Sequence, residues 1–308
     1  MNQATAAPRA HTSPAPVEPP HPPGRVRPAR TGRRRRRPTE WLTTVGILAI
    51  VVFCLTPFYW MVVSSLRRTS DIFENSPWPS VVSLESFAAV VDPRIGFGRA
   101  LVNSVVVAGT TTVCALFIAV LTAYAIARLD FPFKRAVLTT IIATSMFPVV
   151  SLVVPLLRLF ADIGWINTYQ AMIVPSMSFA LPLAVWILTA FFRQMPAALE
   201  EAAMVDGCTQ GQAFRKVILP LAAPGIFTTA IITFIAAWNE FLIALTMTND
   251  ASMQTAPVAL SRFTGATQFE TPFGTQMAAG VVVTIPLVLL VLFFQRRIVD
   301  GLTAGAVK

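Results

Sequence analysis

Along the chain, long apolar runs alternate with shorter polar connections. Six runs approach the roughly 20 residues that a helix needs to cross a hydrocarbon core: Leu42–Leu66, Leu101–Ala127, Ala136–Phe160, Ala171–Phe192, Gly225–Met247 and Met277–Phe294. Their apolar residues are continuous rather than alternating with period two, so the runs predict helices and not barrel strands. Pro57, Pro148, Pro155, Pro175, Pro182 and Pro286 fall inside or at the ends of these runs. They predict kinked helices, which a membrane tolerates when neighbouring helices satisfy the freed carbonyls. The pattern is that of an all-α polytopic membrane protein with six transmembrane helices.

Composition agrees with the pattern. Of 308 residues, 55% are hydrophobic and 13% charged, with mean hydropathy +0.64. A soluble domain carries about 25% charged residues, so a water-facing globular enzyme is excluded. The net charge of +9 is not that of a nucleic-acid-binding face. Residues 1–40 hold nine Lys/Arg against two acids, and the remainder of the chain is close to neutral. Nine prolines in residues 1–38 and the run Arg33–Arg37 predict a disordered, basic cytoplasmic tail lying near anionic lipid. The tail is too long and too proline-rich for the start of a signal peptide.

Orientation follows from the basic residues between the runs. With the N-terminus inside, the inner segments beyond the tail carry nine Lys/Arg, among them Arg128, Lys134, Arg135 and Arg193, and the outer segments carry six. Both termini are therefore expected in the cytoplasm. Arg128 and Arg193 read as topological anchors at span ends, and Asn103 and Ser104 as polar groups at a helix end. The two longest outer stretches, 67–100 and 248–276, are rich in aromatic residues and suit contact with an extracellular partner.

Little catalytic chemistry is available. His11 and His21, the two histidines, lie in the tail, which leaves no histidine for a triad in the folded part. Cys54, Cys114 and Cys208 have neither C-x-x-C nor metal-ligand spacing. No G-x-x-x-x-G-K-[ST] phosphate loop occurs. The chain is expected to bind no metal or cofactor of its own.

The inner loop 193–224 is the most informative segment. It reads RQMPAALEEAAMVDGCTQGQAFRKVILPLAAP. Pro196 suits a helix start, Ala197–Val205 are strong helix formers, and Gly207 suits a left-handed stop. A second helix is expected from Thr209 to Leu219, ending at Pro220. The expected product is a helical hairpin with Ala202 and Ala203 on a smooth face and Glu200, Glu201 and Asp206 charging its other sides.

Within this loop, Glu201-Ala202-Ala203, Gly207 and Val217-x-Leu219-Pro220 resemble the EAA motif of the membrane subunits of ATP-binding-cassette importers. Asp206, Phe214 and Pro224 fit its extended form in carbohydrate importers; Val217 stands where isoleucine is usual. The resemblance covers roughly residues 41–308 and is strongest to the smaller membrane subunit of maltose- and trehalose-type systems. Ala237-Trp238-Asn239-Glu240-Phe241 and Leu302–Lys308 also match. It implies the type I, MetI-like permease fold, with a six-span domain over 41–300 and a cytoplasmic C-terminal tail at 301–308. It implies that Glu200, Glu201, Ala202, Ala203, Asp206, Gly207, Phe214, Leu219 and Pro220 couple the permease to an ATPase subunit. It implies further partners: a second permease subunit, a cytoplasmic ATP-binding dimer holding ATP and Mg, an extracellular sugar-binding protein, and a sugar, a trehalose- or maltose-like disaccharide first.

Candidate pathway residues are fewer. A charge at membrane depth suggests function, and Glu240, beside Trp238 and Asn239, is the clearest case; its alternative role is an inter-helix hydrogen bond. Met146 and Phe147 precede Pro148 at a break in the third run, where a hinge or plain packing would both fit. The second function class is an ion-gradient-driven secondary transporter with Glu240 as proton carrier.

Overall fold

The computed structural model describes residues 38–74, 76–263 and 272–303, with backbone alone at 38–40 and 296–303. Of the tail expected over 1–40, residues 1–37 lie outside the described residues and 38–40 begin the first helix; the outer segment 264–271 and the end 304–308 also lie outside them. The chain divides into two units, 1–52 and 53–308, and the second carries the features that follow. All regular elements among the described residues are helical. They are α1 (Pro38–Ser65), α2 (Glu85–Val91), α3 (Phe97–Arg128), α4 (Lys134–Thr144), α5 (Val149–Asp162), α6 (Tyr169–Gln194), α7 (Ala198–Val205), α8 (Gln210–Ala213), α9 (Leu219–Trp238), α10 (Leu242–Met247), α11 (Ala256–Ser261) and α12 (Phe273–Thr303). A π-helical turn, Phe214–Ile218, joins α8 to α9.

Five helical stretches are long and apolar enough to cross a membrane, or six if one bent pair counts as a span. The bent pair is the third apolar run. α4 and α5 meet at 87°, so this run is an elbow rather than a kinked helix. Its cause is local: the residue before a proline avoids the α region, and Pro148 itself takes ψ 120. Met146 and Phe147 stand exposed at the corner, at 82% and 57%.

The fifth run also departs from expectation. Its helical stretch covers Gln210–Trp238 rather than Gly225–Met247, and the chain breaks at Asn239–Phe241 before the short α10. The sixth begins at Phe273 and its helix continues through Thr303.

α3, α6 and α9 form the centre of the bundle. Ala119, Ala123, Ala184 and Ala222 are fully buried among Val185, Leu188, Phe192 and Ile218. Small residues at such contacts let helix backbones approach in lipid, where no hydrophobic force draws helices together. Gly225 is the tightest point: a Cβ built there would lie 2.7 Å from the Phe191 ring. Two hydroxyls inside the bundle turn back on their own helices, Thr112 donating to Ala108 O at 2.7 Å and Thr229 to Gly225 O at 2.8 Å. That satisfies them without a partner helix.

At the end of the bundle remote from the 193–224 loop, α3 is tied to the segment after α10. Asn103 is 1% exposed and donates to both Ser252 O and Gln254 O at 2.9 Å, while Tyr169 donates to its Oδ1 at 2.7 Å. Ser104 accepts from Ala256 N at 2.8 Å. These two residues are thus structural ties rather than spare groups at a helix end. Arg67, 1% exposed, likewise organises the connection after α1 by donating to Glu74 O and Ser76 O.

Gly225→Val should force α9 away from α6. Overpacking of this kind costs about 1–3 kcal/mol, so the detergent-solubilised variant should melt measurably below the parent, whereas Gly109→Ala, at an open position, should not.

Candidate functional site

The segment between α6 and α9 builds a compact helical corner. α6 stops where Met195 becomes extended, at ψ 134, and α7 starts after Pro196. Gly207 ends α7 with φ 89, a conformation that side-chain-bearing residues adopt at a cost of about 1 kcal/mol or more. Thr209 then restarts the helix with a capping box: its hydroxyl accepts from Gln212 N at 3.4 Å, and Gln212 Oε1 accepts from Thr209 N at 2.9 Å.

Pro220 does not end this second helix. The π turn at Phe214–Ile218 shifts the hydrogen-bond register, and Pro220 falls in the first turn of α9, where a missing N–H is tolerated. From Gln210 onward the loop therefore runs without a break into a membrane-length helix.

The faces of α7 also differ from the expected arrangement. Ala202 is exposed but Ala203 is 7% exposed and turned inward, because successive helical residues point about 100° apart. Glu201, Asp206 and Gly207 are exposed, with Val205 at 88%, Met204 at 43% and Leu199 at 39%. Pro220 is exposed, and Phe214 and Leu219 are half-buried against the α3–α6–α9 core.

Glu200 is the exception among the charged residues of the loop. It is 6% exposed and faces the end of α3. The Tyr124 hydroxyl donates to Glu200 Oε1, and Arg128 Nε lies 3.7 Å from Glu200 Oε2. Arg128 also donates from its NH2 group to Met195 O at 2.8 Å. It is thus a buried connector rather than a free anchor, whereas Arg193 is exposed as expected. The Tyr124 ring packs against Phe214 at 4.4 Å and Phe192 at 6.1 Å. Removing one partner of a buried charge pair typically costs about 3–5 kcal/mol, so this cluster fixes the corner.

The pathway candidates separate. Trp238 is 1% exposed and stacks on Phe234 at 5.7 Å, so it presents no face to a solute. Asn239 is exposed and donates to Ile235 O at 2.8 Å. Glu240 accepts from Ile243 N at 2.7 Å and Ala244 N at 3.0 Å, capping α10 with both carboxylate oxygens. It also lines a pocket of about 130 Å³ with Val149, Ser176, Phe179 and Ala236. Val149, which opens α5 just past the elbow, is the residue of this break that reaches the pocket; Met146 and Phe147 do not line it.

A bundle of membrane-length helices, interrupted at an elbow and carrying one compact helical corner at its end, defines a polytopic membrane protein. The chain belongs to the family of binding-protein-dependent transport system inner membrane components, which matches residues 111–303. The trehalose transport system permease protein SugB of Mycobacterium tuberculosis is 46% identical over 89% of this chain and 98% of its own length. The trehalose/maltose transport system permease protein MalG of Thermococcus litoralis is 42% identical over 87% of this chain and 96% of its own. A chain from the crystal structure of a bacterial ABC transporter involved in the import of the acidic polysaccharide alginate superposes with TM-score 0.73 at 19% identity, covering 85% of this chain and 97% of that one. The last likeness bears on fold alone. The protein is accordingly a multi-pass inner-membrane transport component and not itself an enzyme.

Family membership removes the secondary-transporter alternative, and the two backbone bonds give Glu240 a structural role. Glu240→Gln keeps one carboxamide oxygen as acceptor and should retain most transport. Glu240→Leu leaves both amides without it and should lower the melting temperature, since loss of a cap costs about 1 kcal/mol. Paired melting and uptake measurements check both; complete loss of transport in the Gln variant would restore a protonation role.

Proposed function

We propose that the chain is the membrane subunit of an ATP-driven importer that passes a trehalose- or maltose-like disaccharide into the cytoplasm. The observation that carries this is its likeness, over nearly the whole length of each, to a trehalose and a trehalose/maltose permease. The loop geometry supports the coupling part: α7, a short helix with an exposed outer face, is followed across the Gly207 turn by the membrane-length helical stretch Gln210–Trp238.

On this reading both termini and the 193–224 loop face the cytoplasm, as the Lys/Arg excess favours. A second permease subunit completes the pathway, and a cytoplasmic ATP-binding dimer holds ATP and Mg. The sugar arrives on an extracellular binding protein that docks on the stretches around 67–100 and 248–276. The Asn103 ties keep part of that surface fixed to α3. Closure of the ATPase dimer moves α7 through its outward face, Glu201, Ala202, Asp206 and Gly207, and so shifts the spans between two access states. Asn239, Glu240, Met146 and Phe147 are the pathway candidates; buried Trp238 supports them from behind.

Gly207→Asp puts a side chain at a positive φ and a second acid beside Asp206. It should abolish sugar uptake by the assembled importer while membrane insertion stays normal. Parental uptake rates in that variant would contradict the coupling role.

A further inference from the structure

The cluster of Tyr124, Arg128 and Glu200 has more contacts than a surface hairpin requires, and they converge from one helix. Tyr124 and Arg128 are four residues apart on α3, hence on one face. From there Arg128 reaches the last turn of α6 through Met195 O and the body of α7 through Glu200. Tyr124 reaches α7 through the same carboxylate and the π turn through Phe214. α7 itself buries two residues, Glu200 and Ala203, and its apolar side chains Leu199, Met204 and Val205 point outward. α7 also lies against α8 and the π turn, but its link to α3 runs through this polar cluster.

We infer that Tyr124, Arg128 and Glu200 form a positioning clamp that makes α7 a rigid extension of α3, so that a push on α7 is delivered to the central helix of the bundle. The proposal rests on the coupling-loop reading and assigns within it residues that lie away from the exposed outer face of α7. Two features favour a clamp over ordinary packing. The three groups are buried, with side-chain exposures of 10% for Arg128 and 8% for Glu200, so the pair is little screened by solvent. And the contacted carbonyl, Met195 O, lies at the hinge where α6 gives way to α7. Without the cluster, α7 keeps its contacts with α8 and the π turn but loses its link to α3, and the extended Met195 and the Gly207 turn are the points at which it can swing.

A loosened clamp predicts a distinctive failure: ATP is still hydrolysed but less of it is converted into transport. The test uses the complete importer, with its partner subunits and binding protein, in proteoliposomes. Tyr124→Phe keeps the ring and removes the hydroxyl, and Glu200→Gln keeps the shape and removes the charge. A photo-crosslinking p-benzoylphenylalanine replacing Val205 reports whether α7 reaches the ATPase subunit. The clamp predicts that both variants assemble and crosslink like the parent, while the ATP consumed per sugar imported rises by roughly tenfold, within the usual span of coupling effects. It also predicts that the double variant is no worse than the poorer single one, because both lesions open the same contact. An unchanged ATP-to-sugar ratio with parental crosslinking, or independent multiplicative losses, would overturn the clamp and leave the coupling loop standing. No crosslink in the parent would overturn the coupling-loop reading and the clamp with it. If Glu200→Gln fails to assemble, the milder Tyr124→Phe decides alone: a parental ratio rejects the clamp, a raised one supports it.

Discussion

Ala119 and Ala123 on α3, Ala184 on α6, and Ala222 and Gly225 on α9 share one requirement, that three membrane-length helices pack closely through small residues, with Gly225 leaving room for the Phe191 ring of α6. In lipid the tails are as apolar as leucine, so burial of leucine gains nothing and close van der Waals contact has to supply the association. The large side chains are accordingly displaced to the rim of the seam, where Leu188, Phe192 and Ile218 fill the space at the end that carries the 193–224 loop. Everything functional in the chain hangs from this seam: the corner of α7 at one end and the Asn103 ties at the other.

The seam also explains where polar groups are found. Within it, the hydroxyls of Thr112 and Thr229 are satisfied by their own helices. At its two ends, longer polar side chains span between elements instead. Asn103 fixes the connection after α10, and Glu200 fixes the helix after α6. Two of the breaks in the helices, the elbow after α4 and Asn239–Phe241, lie next to residues that line the Glu240 pocket. Irregular backbone at membrane depth is tolerated where protein or a cavity satisfies it, and Glu240 does so directly for α10.

Much of this was legible from residue types. Runs of 20 apolar residues declare helices whatever their partners, and the spacing from Pro196 through Gly207 to Pro220 located the corner before any geometry. Direction was not legible. Hydropathy carries no angle, so the third run could not reveal its 87° bend. Glu200 and Glu201 are chemically the same and adjacent, and which one faces α3 depends on the phase of α7, set by the turn at Met195–Ala197. Pro220 looked like a stop because a π turn leaves no mark in composition. The roles of Tyr124 and Arg128 did leave one: a phenol and a guanidinium four residues apart at the end of an alanine-rich span share a face, which a topological anchor does not need.

The central claim is that this chain works as the membrane part of an ATP-coupled sugar importer. The most direct measurement is uptake of radiolabelled trehalose and maltose by proteoliposomes holding the assembly purified through this chain from its native membranes, with the binding protein outside. The account predicts accumulation that requires ATP inside the vesicles and persists when proton and sodium gradients are collapsed. Uptake driven by an ion gradient with ATP depleted, or undiminished uptake by this chain purified alone, would contradict it.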